Sequence, residues 1–151
     1  MFRIHKTMKI NYKISDTIKQ QTKIMLYNVG MEAVKYIVEN RFSKTYKREK
    51  GRKVAGNEPA TDKYSVKYGL KTINNITGAL RKSIQSFVID WDKLVVGSFG
   101  VFYAKFLELS KKLEKYRIFK PTIDFIKDKI NSIKGKWWQN IKRELKKGIA
   151  L

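Results

Sequence analysis

An α+β fold is predicted by two features of the chain. Apolar residues recur at three- and four-residue steps over two long segments, and two short apolar runs flank the turn-forming Asp90-Trp91-Asp92-Lys93. The predicted architecture is a small antiparallel sheet, made of an N-terminal strand and a central hairpin. It packs against a long N-terminal helix and a long C-terminal helix. At 151 residues the chain fits a single domain, 1–151, able to bury roughly two-thirds of its unfolded surface.

Met8-Lys9-Ile10-Asn11-Tyr12-Lys13-Ile14 alternates apolar and polar residues, which predicts a half-buried strand after a short extension, 1–7. Ser15-Asp16 then supplies a helix N-cap signal. Ile18, Thr22, Met25, Val29, Ala33, Tyr36 and Ile37 form one stripe of a helix running to about Asn40. Gly30, in mid-helix, costs about 1 kcal/mol relative to alanine, so a close neighbour is expected there.

Between Arg41 and Ile76 the periodicity disappears, and 41–76 is predicted as a long, basic and mobile insertion loop, with a short strand or turn around Tyr64 to Tyr68. Leu80 to Ile84 should enter a strand that continues to Ile89. Leu94 to Phe99 returns as its partner, and Phe102 to Leu109 reads as a short helix with Phe102, Phe106 and Leu109 on one side. Pro121 suits the first turn of the last helix. That helix carries Ile123, Ile126, Ile130, Ile133, Trp137, Ile141 and Leu145 in one stripe and should end near Gly148.

Lysine and arginine number 34 against 13 aspartates and glutamates, a net charge of +21. Such a field attracts nucleic acid, acidic membrane surfaces or acidic proteins and says nothing about fold. The excess is densest at Lys44, Lys47, Arg48, Lys50, Arg52 and Lys53, with Tyr46 interleaved. These residues are the candidates for contact with DNA phosphates or an acidic partner; the competing reading is a solvated loop.

The chain has no cysteine, which removes disulfides and thiolate metal sites. Its one histidine, His5, removes most zinc ligand sets and the common Ser–His and Cys–His pairs. Asp90 and Asp92 alone make a weak cation site, and Glu108, Glu114 and Asp124 form no acid–base constellation. The sequence therefore reads as a non-enzyme, with no catalytic residues, metal or cofactor. The longest uncharged stretch, Leu94 to Ala104, falls far short of the ~20 apolar residues of a membrane span. The lysine-rich C-terminal helix with Trp137 and Trp138 could lie on a membrane surface, but a sheet-packed stripe with a wet lysine face explains it better. Trp138 cannot share the direction of Trp137 and is a candidate partner contact.

Three short signatures follow one another in residues 77 to 122. The first is Thr77-Gly78-Ala79-Leu80-Arg81-Lys82-Ser83-Ile84; the second is Val96-Gly97-Ser98 leading to Tyr103-Ala104-Lys105-Phe106-Leu107-Glu108. The third is Arg117-Ile118-Phe119-Lys120-Pro121-Thr122. On residues alone, Thr77-Gly78 is a generic turn, with glycine free to take a positive backbone angle, that feeds Leu80 and Ile84 into a core.

The ordered set resembles the small neck proteins of tailed bacteriophages, the gene-ten-like family of phage HK-ninety-seven, which includes tail completion, tail-terminator-like and head–tail joining proteins. Thr77, Gly78, Leu80, Ser83, Val96, Gly97, Tyr103, Ala104, Glu108, Arg117, Phe119 and Pro121 occupy the family's motif positions. The likeness spans about residues 8 to 147, with departures at Ile118, where the family often has proline, and at Leu109-Ser110, where it usually has glycine.

The resemblance implies a virion protein of the head–tail junction, assembled in the bacterial host cytoplasm. It would form a homo-oligomeric ring of six or twelve copies around the DNA channel, touch connector or adaptor and tail-tube proteins, and contact packaged DNA nonspecifically without any membrane partner. The alternative is a sequence-nonspecific nucleic-acid-binding protein acting outside a virion, for which the charge alone argues. A cationic membrane-active protein is the third class, disfavoured by the mixed strand and helix pattern.

Overall fold

Two long antiparallel helices hold a β-hairpin and a small helical cap in place. The computed structural model describes residues 2–43, 58–73 and 78–149, with side chains from 14 to 147. The elements are α1 (Phe2–Asn40), α2 (Lys63–Lys67), α3 (Ala79–Ser83), β1 (Ile84–Asp90), β2 (Lys93–Ser98), α4 (Ala104–Leu109), a 3₁₀ helix (Lys111–Tyr116) and α5 (Phe119–Ile149). The α+β architecture is the one the sequence predicts.

The 39-residue α1, about 58 Å long at 1.5 Å per residue, runs antiparallel to α5. Near its C-terminal end, Tyr36 stacks on Phe125 at the start of α5 with ring centroids 4.5 Å apart. Further back, Thr22 accepts a hydrogen bond from the Trp137 indole at 3.3 Å. The predicted stripe faces inward: Val29, Ala33, Tyr36 and Ile37 are buried, and Ile18, Thr22 and Met25 are half-buried. On α5, Ile126, Ile130, Ile133, Trp137, Ile141 and Leu145 likewise turn inward. Ile123 does not: it is exposed, and Thr122 and Phe125 take the inward positions of that turn.

The predicted strand Met8–Ile14 is instead part of α1, which continues unbroken through Ser15-Asp16. Seven alternating residues fit period two, but Ile10, Ile14 and Ile18 also fit a four-residue step, and no glycine or proline interrupts the segment. Among the described residues the sheet accordingly has two strands. Leu80 to Ser83 is a helical turn, not a strand entry, and the strand begins at Ile84.

β1 and β2 pair antiparallel, Phe87 opposite Val95 and Ser86 opposite Val96, around the Trp91-Asp92 turn. A bulge between Val88 and Asp90 accommodates that turn without any non-glycine residue at positive φ. The hairpin lies against α1 at Gly30, where a Cβ would sit 2.7 Å from Ser86 Oγ and 3.0 Å from Leu94 Cδ1. The missing side chain of Gly30 is thus what lets sheet and helix meet.

Within the predicted insertion loop, Phe42 pairs with Ile73 and Pro59 with Lys71 as isolated bridges, and Tyr64 to Tyr68 begins as helix α2. Ala60, Leu70 and Ile73 are buried. Residues 44–57, including the basic cluster, lie outside the described residues. The core joins Tyr36, Ile37 and Phe42 to Ile73, Leu80, Ile84, Ala104 and Ile118.

Overpacking Gly30 is expected to be costly, because Ser86 has no long side chain to swing aside. Gly30→Leu should lower stability by about 1–3 kcal/mol in thermal or urea denaturation, and Ser86→Gly should return part of the loss. Gly78→Val, at φ 72°, should cost a further and independent ~1–3 kcal/mol.

Candidate functional site

The eleven motif positions within the described residues fall into one junction rather than a cleft. Gly78 opens α3 in the left-handed conformation, with Leu80 and Ser83 buried behind it. The Ser83 hydroxyl lies 2.7 Å from the Leu80 carbonyl, to which it donates, and 2.6 Å from Ser98 Oγ at the far end of the hairpin. The Phe99 N–H returns to the Ser83 carbonyl at 2.9 Å. The first signature is therefore bonded to the second across the two strand ends. Val96 packs on the core, Gly97 is half-buried opposite Gln85, and Thr77 lies outside the described residues.

The second and third signatures are joined by a carboxylate. Glu108 Oε1 accepts the N–H groups of Ile118 and Phe119, the latter at 3.1 Å. Those amides open α5, so Glu108 acts as a cap from another element and places a negative charge at the positive end of the helix. Pro121, fully buried in the first turn, has no N–H that would need a partner. Ala104 is buried and Phe119 packs at the core margin, whereas Tyr103 is half-exposed.

Beside this junction lies a cluster that composition and periodicity do not reveal. Arg41 is entirely enclosed. Its Nε donates to the Arg117 carbonyl at 3.0 Å, Nη1 to Ser65 Oγ at 3.1 Å and Nη2 to the Lys71 carbonyl at 3.0 Å. Burial pushes the guanidinium below its ordinary pKa, opposed by Tyr36, Asp62 and Glu108. Asp62 Oδ1 caps α2 through the Ser65 N–H at 3.0 Å and accepts the Tyr36 hydroxyl at 2.5 Å. Burial, reinforced by that bond to Asp62, raises the Tyr36 pKa and keeps the phenol neutral. The Asp62-Lys63-Tyr64-Ser65 cap was readable in the sequence; the destination of Arg41 was not. These groups clamp separate backbone segments to one another.

A second surface arrangement repeats at four-residue spacing. Lys63 and Tyr64 both donate to Asp128 Oδ2, at 3.2 and 2.8 Å. One turn on, Lys67 donates to Asp124 Oδ2 at 3.1 Å, and the Tyr68 hydroxyl donates to the same oxygen. Lys-Tyr pairs on α2 and at its C-cap thus face aspartates four apart on α5. The tyrosine bonds first, then the lysine bonds, hold both carboxyls below the usual carboxylate range.

Elsewhere the chemistry is sparse. Asp90 and Asp92 are exposed on the hairpin turn, where Asp90 accepts the Trp91 N–H. Among the described residues, no three His, Cys, Asp or Glu side chains come together as a metal site. A groove of about 300 Å³ between α1 and α5 is lined by Ile24, Met25, Met31, Ile133 and Trp137, with Glu32 its single carboxylate. The outward side of α5 is cationic: Lys142, Arg143, Lys146 and Lys147 surround Trp138, which is 51% exposed and carries Lys142 over its ring at 5.3 Å. Among the described residues no helix is long and apolar enough to cross a membrane. No protein-family model, curated protein or solved structure matches the chain.

Two outcomes follow from these bonds. Arg41→Lys keeps the charge but cannot reproduce a planar fork to three acceptors, so it should lower stability by at least about 2 kcal/mol in urea denaturation. For Asp124 and Asp128, stability is present above the ordinary aspartate pKa and is lost as pH falls through their depressed folded values. The Asp124→Asn/Asp128→Asn variant should therefore show a smaller drop in melting temperature than the parent on acidification below about pH 4.

Proposed function

We propose that this chain is a structural subunit of a phage neck, forming a ring at the head–tail junction that completes or joins the tail around the DNA channel. The observation that supports this reading is the physical union of the three ordered signatures. Ser83 meets Ser98, and Glu108 meets Ile118 and Phe119, so residues 10 to 15 positions apart build one junction. An assembly protein needs such a scaffold to present side chains to its neighbours, and Tyr103 stands exposed beside it.

The reading is tested by expressing a tagged chain from the phage or prophage that encodes it and imaging labelled particles. Label at the neck is expected. Particles that are complete and infectious without the protein would overturn the proposal.

A second reading, nonspecific nucleic-acid binding by a free monomer, is favoured by one observation, the cation-lined outer side of α5 around Trp138. Lysines neutralise phosphates while an exposed aromatic can stack on a base. Replacing Lys142, Lys146 and Lys147 with serine should flatten the log–log salt dependence of DNA affinity by roughly 0.9 units for each phosphate no longer neutralised. Replacing Lys44, Lys47, Arg48, Lys50, Arg52 and Lys53 tests the other cationic segment. Tight binding by the isolated monomer would favour this second reading; weak binding fits the neck subunit.

A further inference from the structure

The outward side of the hairpin is apolar where a water-facing sheet is ordinarily polar. Alternation along β1 turns Phe87 and Ile89 away from α1, and Val95 sits directly across from Phe87. Phe99, at the exit of β2, closes against Phe87 edge to face, with ring centroids 5.0 Å apart. The chain then continues to Phe102 and Leu109, which are 74% and 78% exposed. Among the described residues, nine of the fifteen exposed large hydrophobic side chains lie between positions 87 and 109, so the exposure is concentrated rather than scattered.

We infer that this surface, the outward sheet face continued over α4, is a docking face for a second copy of this chain. Three arguments select that occupant. The first is area. At ~200 Å² for each large side chain, the half-exposed Phe87, Ile89, Val95 and Phe99 present on the order of 400 Å² on the sheet, and Phe102, Tyr103, Phe106 and Leu109 a similar area after it, together about one partner's share of a standard protein interface.

The second argument is charge. Residues 84–109 hold Asp90, Asp92 and Glu108 against Lys93 and Lys105, in a chain of net charge +21. A nucleic acid or acidic protein would be drawn to the cationic remainder. A second copy, equally cationic, is best tolerated where that charge is absent, with the repelling surfaces turned outward. The third argument is the sheet itself. Among the described residues α1 covers the inner face of the two-stranded sheet and leaves the outer face open, and a second hairpin packed about 10 Å away across the apolar faces would cover it.

The inference stands apart from the ring reading: hairpin against hairpin is a self-complementary contact that closes a pair of copies, and it rests on this surface and not on a virion. Sedimentation velocity of the purified full chain, over a concentration series at low and high salt, measures it directly. Concentration-dependent association that strengthens with salt is expected, because screening removes like-charge repulsion while apolar burial persists. Ile89→Lys and Leu109→Lys, both at exposed positions, should each weaken association by about tenfold or more with unchanged circular dichroism and melting temperature.

A chain that stays monomeric throughout the series overturns the inference. So does association that weakens with salt, or association that persists undiminished in both folded variants. Self-association without neck labelling would remove the neck reading alone. Neck labelling by a chain that is monomeric in solution would remove this surface alone.

Discussion

Arg41 terminates α1 inside the protein, and the arrangement of the middle of the chain depends on satisfying it. A guanidinium removed from water without partners costs several kcal/mol. Here its donors are taken by three separate segments: Ser65 in α2, the Lys71 carbonyl beyond it and the Arg117 carbonyl just before α5. Moving any one of them strands a buried charge or a buried carbonyl. The bonds therefore fix the path of residues 58–73 over the end of α1 more firmly than the modest apolar content of that segment would. Tyr36 and Asp62 extend the same network, and the Tyr36–Phe125 stack carries it to α5.

A second constraint works at the opposite side of α1. Gly30 removes the side chain that would hold the hairpin away, so Ser86 and Leu94 come down onto the helix backbone. Seating the inner face this closely also decides the outer one. Residues alternate across a strand, and a register that turns Ser86, Val88 and Leu94 inward must expose Phe87, Ile89 and Val95. The apolar outer face is thus a direct consequence of how the hairpin docks.

The motif residues serve geometry. Ser83 and Ser98 tie the hairpin ends together, while Glu108 fixes α4 and the start of α5 to one another. Local signatures become one unit because each supplies a polar group that the next must bury. That arrangement suits a protein whose work is to hold surfaces in a fixed relation, and it is the physical content behind the neck proposal. The cationic side of α5 and the near-neutral hairpin face are chemically distinct surfaces.

The sequence by itself determined the elements whose signal is long or chemically unambiguous. The stripe from Ile18 to Ile37 and the stripe from Ile126 to Leu145 span many turns, so only a helix accommodates them. Gly30 and Gly78 announced a close approach and a left-handed turn because no other residue suits either. The tertiary structure decided what short patterns left open. Met8–Ile14 and Leu80–Ser83 fit more than one period, and neither has a strand partner, so both became helical. Ile123 belongs to the α5 stripe by spacing yet faces water, because Phe125 fills the space beside Tyr36 and Tyr64. Arg41 resembles any other charge in a basic chain; its burial depends on three acceptors from 24 to 76 residues away, which no local pattern encodes.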